Sequence, residues 1–238
     1  MSAFLYGVIL QWKLDFRNKG VLLTYYVVPL VFFAFMGGIF SSINPASKDT
    51  LIQSMTVFGV TMGAFLGTPT PLVELYGSEI KKAYKVGGIP LWVAAINNFI
   101  SAFIHLFMMS LVMFFIAPVA FDAKIPQNPQ LYLLSLAIFI IASLGVGTVL
   151  GLLIKNLSKL TILAQLLFLP SIMLSGIMFP ASMLPKALET VSVILPATWG
   201  FKLMTNEVFD VKLLIPLVVI MIVSMGVSGY KLSKISLE

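Results

Sequence analysis

Residues 91–117 read LWVAAINNFISAFIHLFMMSLVMFFIA and contain no Asp, Glu, Lys or Arg. A helix needs about 20 such residues to cross hydrocarbon roughly 30 Å thick, since each residue adds about 1.5 Å. Five further uncharged stretches are of this kind, at residues 21–40, 51–73, 131–154, 160–179 and 213–230. The sequence therefore predicts an all-α integral membrane protein with six transmembrane helices in one domain, residues 1–238.

The composition excludes several classes of protein. Of the 238 residues 59% are hydrophobic and 10% charged, and the mean hydropathy is +1.04, whereas soluble domains carry about 25% charged residues. The chain has no cysteine and one histidine, so a disulfide framework, thiolate chemistry and a histidine-rich metal cage are excluded. We expect no metal site.

The charges are distributed unequally between the two sides of the predicted bundle. Successive connections between spans must lie on alternate sides of the membrane. This puts the amino end, the 74–90 loop, the 155–159 loop and the carboxyl end on one side. This side carries the whole net charge of +6, and the other side is neutral. Because Lys and Arg concentrate on the cytoplasmic side of membrane proteins, both termini are predicted to be cytoplasmic, and nucleic acid is not needed to explain the basic balance.

The residues before the first span form a predicted interfacial helix over 1–19. Its apolar residues recur at three- and four-residue steps, and Trp12 suits the headgroup boundary. They are Phe4, Leu5, Val8, Ile9, Trp12 and Phe16. The polar residues are placed largely elsewhere around the helix: Gln11, Lys13, Asp15 and Arg17. A frayed tail is the alternative.

Two spans carry glycines at spacings that permit close helix packing. They are Gly59, Gly63 and Gly67 in the second span, and Gly145, Gly147 and Gly151 in the fourth. Beside the first set lie bulky residues that either pack a partner helix or line an apolar passage: Met55, Phe58, Met62 and Phe65.

The third span contains a polar seam, Asn98, Ser101 and His105, with Asn97 less closely aligned. Polar groups in hydrocarbon need partners, so the seam is predicted to face inward. It serves either as a substrate or proton site or as a set of interhelical hydrogen bonds, and the second interpretation is favoured because a single imidazole makes a poor relay.

The segment 179–212 is too interrupted by proline to span and too apolar for an ordinary solvated loop. We expect an outer re-entrant segment with a short interfacial helix. One side of this helix is predicted to be apolar, with Leu184, Leu188, Val191 and Leu195. The other side is predicted to be polar, with Lys186, Glu189 and Thr190.

Catalytic motifs are absent from the sequence: there is no phosphate-binding loop, no HExxH, no GxSxG and no carboxylate pair within a span. A membrane enzyme is therefore disfavoured. The loop after the second span instead has a helix-compatible stretch from Ser78 to Val86 that ends in Gly87 and Gly88. Such a rigid element can convert a partner's movement into helix tilt.

The chain resembles the ABC type-2 permeases, the membrane subunits of ATP-driven exporters. The resemblance covers nearly the whole length and rests on the interfacial helix, the six spans and two motifs. One is Glu74-x-x-Gly77-Ser78 with Pro90 at the end of the loop; the other, more specific, is Ser175-Gly176-Ile-Met-Phe-Pro180 followed by Leu184-Pro185 and Leu195-Pro196. Leu75 and Tyr76 depart from the family, which often has charged residues there.

The resemblance implies a homodimer or pseudo-symmetric heterodimer of permeases, each docked on a separate ATPase subunit. The ATPase subunit is expected to bind ATP and Mg. This chain is therefore not expected to be an enzyme or to hold a cofactor itself. The implied docking residues are Glu74, Gly77, Ser78, Glu79, Lys81, Lys82, Tyr84 and Lys85. The second and fifth spans of two copies would face each other, which makes candidate path or gate residues of Phe58, Met62, Phe65, Leu167 and Met173.

The expected activity is outward transport of a hydrophobic or amphipathic compound, such as a peptide or drug, across a bacterial cytoplasmic membrane. The absence of charge in the spans disfavours a hydrophilic ion as cargo. Export of a lipid or lipid-linked glycan is an alternative, as is a channel or scaffold that needs no nucleotide.

Overall fold

The computed structural model describes residues 3–43, 45–77, 80–178 and 183–237, and within these ranges it contains helices and no strand. Six helices there are long and apolar enough to cross a membrane. They are span 1 (Lys19–Ile43), span 2 (Leu51–Gly77), span 3 (Leu91–Phe121), span 4 (Pro129–Leu153), span 5 (Leu157–Leu174) and span 6 (Val211–Ile235). The predicted all-α membrane fold with six spans is confirmed.

Within the described ranges, four shorter helices accompany the spans. The N-terminal helix is Ala3–Arg17, the connecting helix between spans 2 and 3 is Ile80–Val86, and two helices follow span 5. We name the latter the rim helix (Lys186–Ser192) and the inserted helix (Pro196–Thr205). A short 3₁₀ turn, Pro45–Asp49, joins spans 1 and 2.

Span 5 ends earlier than predicted. Its helix stops at Leu174, because Gly176 adopts φ 93, a left-handed conformation that is strained for other residues. The predicted end at Phe179 and the motif residue Pro180 lie outside the described residues. The Ser175-Gly176 pair thus acts as the stop signal of this span.

The proline motifs mark where the two following helices begin. Pro185 directly precedes the rim helix, and Pro196 is the first residue of the inserted helix. Proline lacks a backbone N–H, but the N–H groups of a first helical turn have no partner within the helix, so none is lost there. On the rim helix, Leu188 and Val191 of the predicted apolar side are exposed in the single chain, whereas Leu195 just beyond it is buried.

The inserted helix packs among spans 2, 4 and 6. Gly200 sits directly on the Phe139 ring of span 4, and Leu203 and Met204 are buried beside it. The Trp199 indole nitrogen donates a 2.7 Å hydrogen bond to the Val193 carbonyl, which fixes the turn between the two helices. Part of the 179–212 segment therefore returns into the helix bundle.

Span 2 is the central helix of the bundle. In its most apolar window 89% of the residues are buried inside the chain, against 17% for span 1 and 11% for span 6. Its glycines admit neighbouring side chains: Met109 of span 3 lies over Gly59, and Tyr25 of span 1 lies over Gly67. The predicted packing role of these glycines matches the contacts they make.

Spans 1 and 2 each contain a π-helical turn, Leu23–Val27 and Gly63–Gly67, and the two turns contact each other. The fully buried Tyr25 fills the space between them, and its hydroxyl lies 3.1 Å from the Thr68 hydroxyl. Such wider turns occur often at functional sites because they shift the register of the following residues.

Span 4 approaches the backbone of span 2 at Gly147. A Cβ atom at this position would overlap the Ala64 carbonyl oxygen, so the contact requires a residue without a side chain. At Gly151 a Cβ would come within 2.9 Å of the Pro69 carbonyl oxygen. These two glycines set the distance between spans 2 and 4.

Candidate functional site: the lysine-rich face

The connecting helix lies on the face of the bundle that carries the excess of Lys. It ends in a Schellman arrangement, in which the Ile89 N–H donates to the Tyr84 carbonyl at 2.9 Å. Gly88 adopts φ 64 at the position where this motif requires the left-handed conformation. The predicted glycine stop has this geometry, and it ends the helix at Val86.

Two tyrosines attach the connecting helix to the bundle. Tyr84 of the helix and Tyr76 at the end of span 2 pack against a small apolar cluster of Leu91, Leu152 and Ile235. These three residues belong to spans 3, 4 and 6, so Tyr84 of the short helix packs against one cluster to which three spans contribute. Partial burial in this cluster raises the pKa of the Tyr84 hydroxyl.

Tyr76 also closes the segment that contains the connecting helix. Its hydroxyl donates a 2.7 Å hydrogen bond to the Leu91 carbonyl at the start of span 3. The end of span 2 and the start of span 3 are therefore joined beside the helix. The departure of Tyr76 from the family pattern coincides with this attachment.

The other predicted docking residues surround this attachment. Glu74 and Lys82 are exposed, Lys81 is half-buried, and Gly77 is exposed at the end of span 2. Ser78 and Glu79 lie outside the described residues, and for Lys85 only the backbone is described. The docking role of this set stays a prediction.

The polar seam of span 3 meets the N-terminal helix. The Ser101 hydroxyl donates to Asp15 Oδ2 at 2.5 Å, and Gln11 donates to Asp15 Oδ1 at 2.9 Å. The His105 Nδ1 atom shares a 2.8 Å hydrogen bond with the Tyr26 hydroxyl, while its Nε2 atom lies 3.9 Å from Asp15 Oδ2. Thus Ser101 and His105 belong to one buried network.

The third seam residue, Asn98, points to span 2. Its amide donates to the Thr68 carbonyl at 3.2 Å, immediately after the π-helical turn of that span. Because the Thr68 hydroxyl also faces Tyr25, the seam and the paired π-helical turns form one continuous set of contacts.

The sequence placed Asp15 on the polar side of the N-terminal helix, and this was wrong. Asp15 is 3% exposed and faces span 3. It follows the buried Val8 by seven residues, a spacing that returns to the same helix side, and this was the overlooked signal. Burial raises the pKa of the Asp15 carboxyl, and the hydrogen bonds from Ser101 and Gln11 partly oppose that shift.

Aromatic rings enclose this network. Trp12 and Tyr25 stack on the His105 ring with centroids 5.9 and 5.5 Å away, and Phe16 and Tyr26 meet it edge-on at 5.0 and 5.6 Å. His105 is fully buried, and such an enclosure excludes water from its ring. The arrangement ties the N-terminal helix to spans 1 and 3.

The predicted path residues do not share one environment: Phe58 is 7% exposed, Phe65 is fully buried, Met62 and Leu167 are half-buried, and Met173 is 54% exposed. Phe58 stacks on Phe32 at 3.7 Å between centroids and meets Phe168 of span 5 at 5.7 Å. Spans 2 and 5 thus contact each other inside one chain. Phe65 reaches no surface in this conformation, and a path role for the set stays a prediction.

The fold and this face define a class: a six-span helical membrane protein whose loop helix is attached to several spans. The profile of the ABC-2 type transporter family matches residues 3–209, most of the chain. The chain therefore belongs to the ABC-2 type transporter family and is a multi-pass membrane transport protein, an ABC transporter permease. No curated protein matches the chain closely enough to be reported as a relative.

Proposed function

We propose that the chain is the membrane subunit of an exporter driven by ATP that a separate subunit hydrolyses. The observation that supports this is the attachment of the connecting helix through Tyr84 and Tyr76 to a cluster formed by spans 3, 4 and 6. A partner that moves the connecting helix as a rigid body would move the ends of these spans together. A loop that did not pack against the spans would not transmit the partner's movement to them.

In this proposal two permeases, identical or homologous, lie side by side in the membrane as a dimer. An ATPase subunit docks on the connecting helix of each. ATP and Mg bind the partner, and this chain contributes no catalytic group or cofactor. Both termini lie on the cytoplasmic side of a bacterial cell membrane, as the excess of Lys on that face favours.

The proposed cargo is a hydrophobic or amphipathic compound, a peptide or drug. The uncharged interiors of the spans support it, because a charged cargo in hydrocarbon needs paired ionisable groups along its route. The six predicted spans contain no Asp, Glu, Lys or Arg.

Copurification combined with an ATPase assay tests the transmission of movement through the connecting helix. The permease is expressed with its cognate ATPase, and Tyr84→Ala is compared with Tyr6→Ala, a change at an exposed tyrosine of the N-terminal helix. We expect Tyr84→Ala to keep the ATPase bound but to uncouple hydrolysis from cargo, and Tyr6→Ala to behave as wild type. Normal cargo-stimulated hydrolysis in Tyr84→Ala would contradict the proposed transmission.

Reconstitution tests the division of labour. Vesicles with permease and ATPase should accumulate an amphipathic peptide upon ATP addition, and vesicles with permease alone should not. Transport by the permease alone would indicate a nucleotide-independent channel. ATP-driven transport of a lipid-linked glycan with no response to peptides would overturn the cargo assignment.

A further inference from the structure

Three lysines from three separate elements surround a recess on the same face as the connecting helix. They are Lys81 of the connecting helix, Lys155 between spans 4 and 5, and Lys231 of span 6, and the recess has a volume of about 280 Å³. In the described part of the chain none of the three forms an ion pair. Among the described residues, like charges converge here without a carboxylate counterion.

Apolar side chains form the floor of the recess. They are Val73, Leu152 and Ile235 of spans 2, 4 and 6, largely buried, and they line it beside Gly151. The one tyrosine hydroxyl in the lining, that of Tyr76, already donates to the Leu91 carbonyl. The recess therefore combines the positive charge of three lysines with apolar side chains in its lining.

We propose that this recess binds the phosphate group of an anionic phospholipid. An anion pairs with the lysines and an adjoining apolar part contacts the floor side chains, and a phospholipid has both next to each other. Lys155 and Lys231 lie at the ends of spans, the depth at which long cationic side chains reach lipid headgroups. A carboxylate from a soluble protein surface would supply the charge but would leave the floor uncovered.

The chain offers a matched pair of variants. Lys155→Gln with Lys231→Gln removes two charges from the rim and leaves the connecting helix untouched. Lys159→Gln with Lys234→Gln removes two charges from neighbouring positions that do not line the recess. Lys234 instead lies over the Tyr230 ring, with its nitrogen 4.7 Å from the ring centroid.

The full-length permease is titrated with phosphatidylglycerol or phosphatidylcholine, and bound lipid is counted by native mass spectrometry. Near an anionic surface each lysine contributes roughly a fivefold gain in binding. The rim variant should therefore bind phosphatidylglycerol on the order of 25-fold more weakly, and the control should bind as wild type. Each single rim variant should lose about fivefold, which keeps the test valid if the double variant is unstable.

Several outcomes would overturn the site. Equal affinity for the two lipids would remove the requirement for an anion, and equal weakening in the control would show a general surface effect. Inorganic phosphate that competes as tightly as the lipid would show that the floor contributes nothing and that free phosphate is the ligand. Loss of the ATPase from the rim variant with unchanged lipid binding would assign the lysines to a protein contact.

Discussion

Spans 2 and 6 are both long, apolar and rich in glycine, yet they lie in opposite environments. Span 2 is 89% buried in its most apolar window and span 6 only 11%. Around Gly59 and Gly67 of span 2, side chains of spans 1 and 3 fill the space that a Cβ would take, whereas nothing lies within 4 Å of a Cβ at Gly226 or Gly229 of span 6. Span 2 belongs to the protein interior, and span 6 presents an open face.

The contrast shows what a glycine spacing means in a membrane helix. Small residues permit close packing, but they specify no partner, so the same residue type marks an occupied seam in one span and an unoccupied surface in another. Burial differs because span 2 is surrounded by spans 1, 3, 4 and 5 and the inserted helix, while span 6 leans mainly on span 4 and the inserted helix. Substitutions at matched glycines should separate the two cases.

The largest expected effect is that of Gly147→Ala, on the enclosed side of the bundle. The added Cβ would overlap the Ala64 carbonyl oxygen, and backbone cannot move aside as a side chain can. We expect spans 2 and 4 to be forced apart, with a loss of about 3 kcal/mol in the free energy of unfolding. Thermal unfolding of the purified permease measures this.

The matched control is Gly229→Ala, because no atom lies within 4 Å of the new Cβ. It should unfold close to the wild-type temperature. Equal destabilisation by the two changes would mean that the enclosed and open spans do not differ as described.

The second effect concerns the N-terminal helix, which covers the enclosed side of span 3. Asp15→Ala leaves the Ser101 hydroxyl and the Gln11 amide without their acceptor. Loss of acceptors at buried donors costs about 2 kcal/mol, and the helix should detach from span 3. Since the chain has no cysteine, a spin label on a Tyr6→Cys variant reports the mobility of this helix directly.

The same label tests a pH dependence. Burial raises the pKa of Asp15 above its ordinary value of 3.8, so the folded state binds the proton more tightly than the unfolded state. The resulting stability is full below pH 3.8 and is lost as the pH rises through the raised pKa. The helix should therefore become more mobile from acid to neutral pH.

Asp15→Asn should remove this pH dependence, because the amide oxygen still accepts a hydrogen bond but does not titrate. The groups facing Asp15 are Gln11 on its own helix, Ser101 and His105 from span 3, and Tyr25 from span 1. Of these, His105 is the one that can take up a proton at acid pH. An unchanged pH response in Asp15→Asn would assign the effect to His105 instead.

The lengths of the uncharged stretches and the positions of the prolines made much of the fold predictable from the sequence. The six spans follow from the thickness of hydrocarbon. Gly176 marks a helix end because it permits a left-handed conformation, and Pro185 and Pro196 mark helix starts because proline restricts the backbone. The burial of each span was not predictable in this way. Glycine spacing does not distinguish the open span 6 from the enclosed span 2. The mean hydropathy does, at 1.3 for span 2 against 2.3 for span 6, and this difference was an overlooked signal of burial.

In the candidate site too, features set by local sequence were predictable and features set by tertiary contacts were not. The connecting helix followed from local signals, a helical composition and the stop at Gly87 and Gly88. Asp15 was missed because its pairing with Ser101 depends on how a separate helix docks, and a charged residue on an amphipathic helix ordinarily faces water. The clustering of Tyr84 with Leu152 and Ile235 is likewise set by tertiary contacts.

A third, smaller effect is expected at Gly88, which follows the end of the connecting helix. The residue has φ 64, but no atom lies within 4 Å of the position that a Cβ would take, so Gly88→Ala adds only backbone strain. We expect a loss of about 1 kcal/mol, confined to the end of the connecting helix. Hydrogen exchange at Ile89, whose N–H makes the closing bond, should accelerate; Gly88→Asn should have a smaller effect, because Asn tolerates this conformation.

The smallest effect, and the one that bears most directly on the two spans, is expected at Gly226. In a single chain Gly226→Ala meets no atom and removes a flexible residue from the middle of a helix, which should raise stability by about 0.5 kcal/mol. The sign would reverse if a second copy packed closely on this face, because the new methyl group would then press on its backbone. Unfolding of the permease at increasing dilution in detergent distinguishes the two cases. A gain that does not depend on concentration indicates that lipid covers span 6, and a loss that grows with concentration indicates that span 6 lies in the interface between two copies.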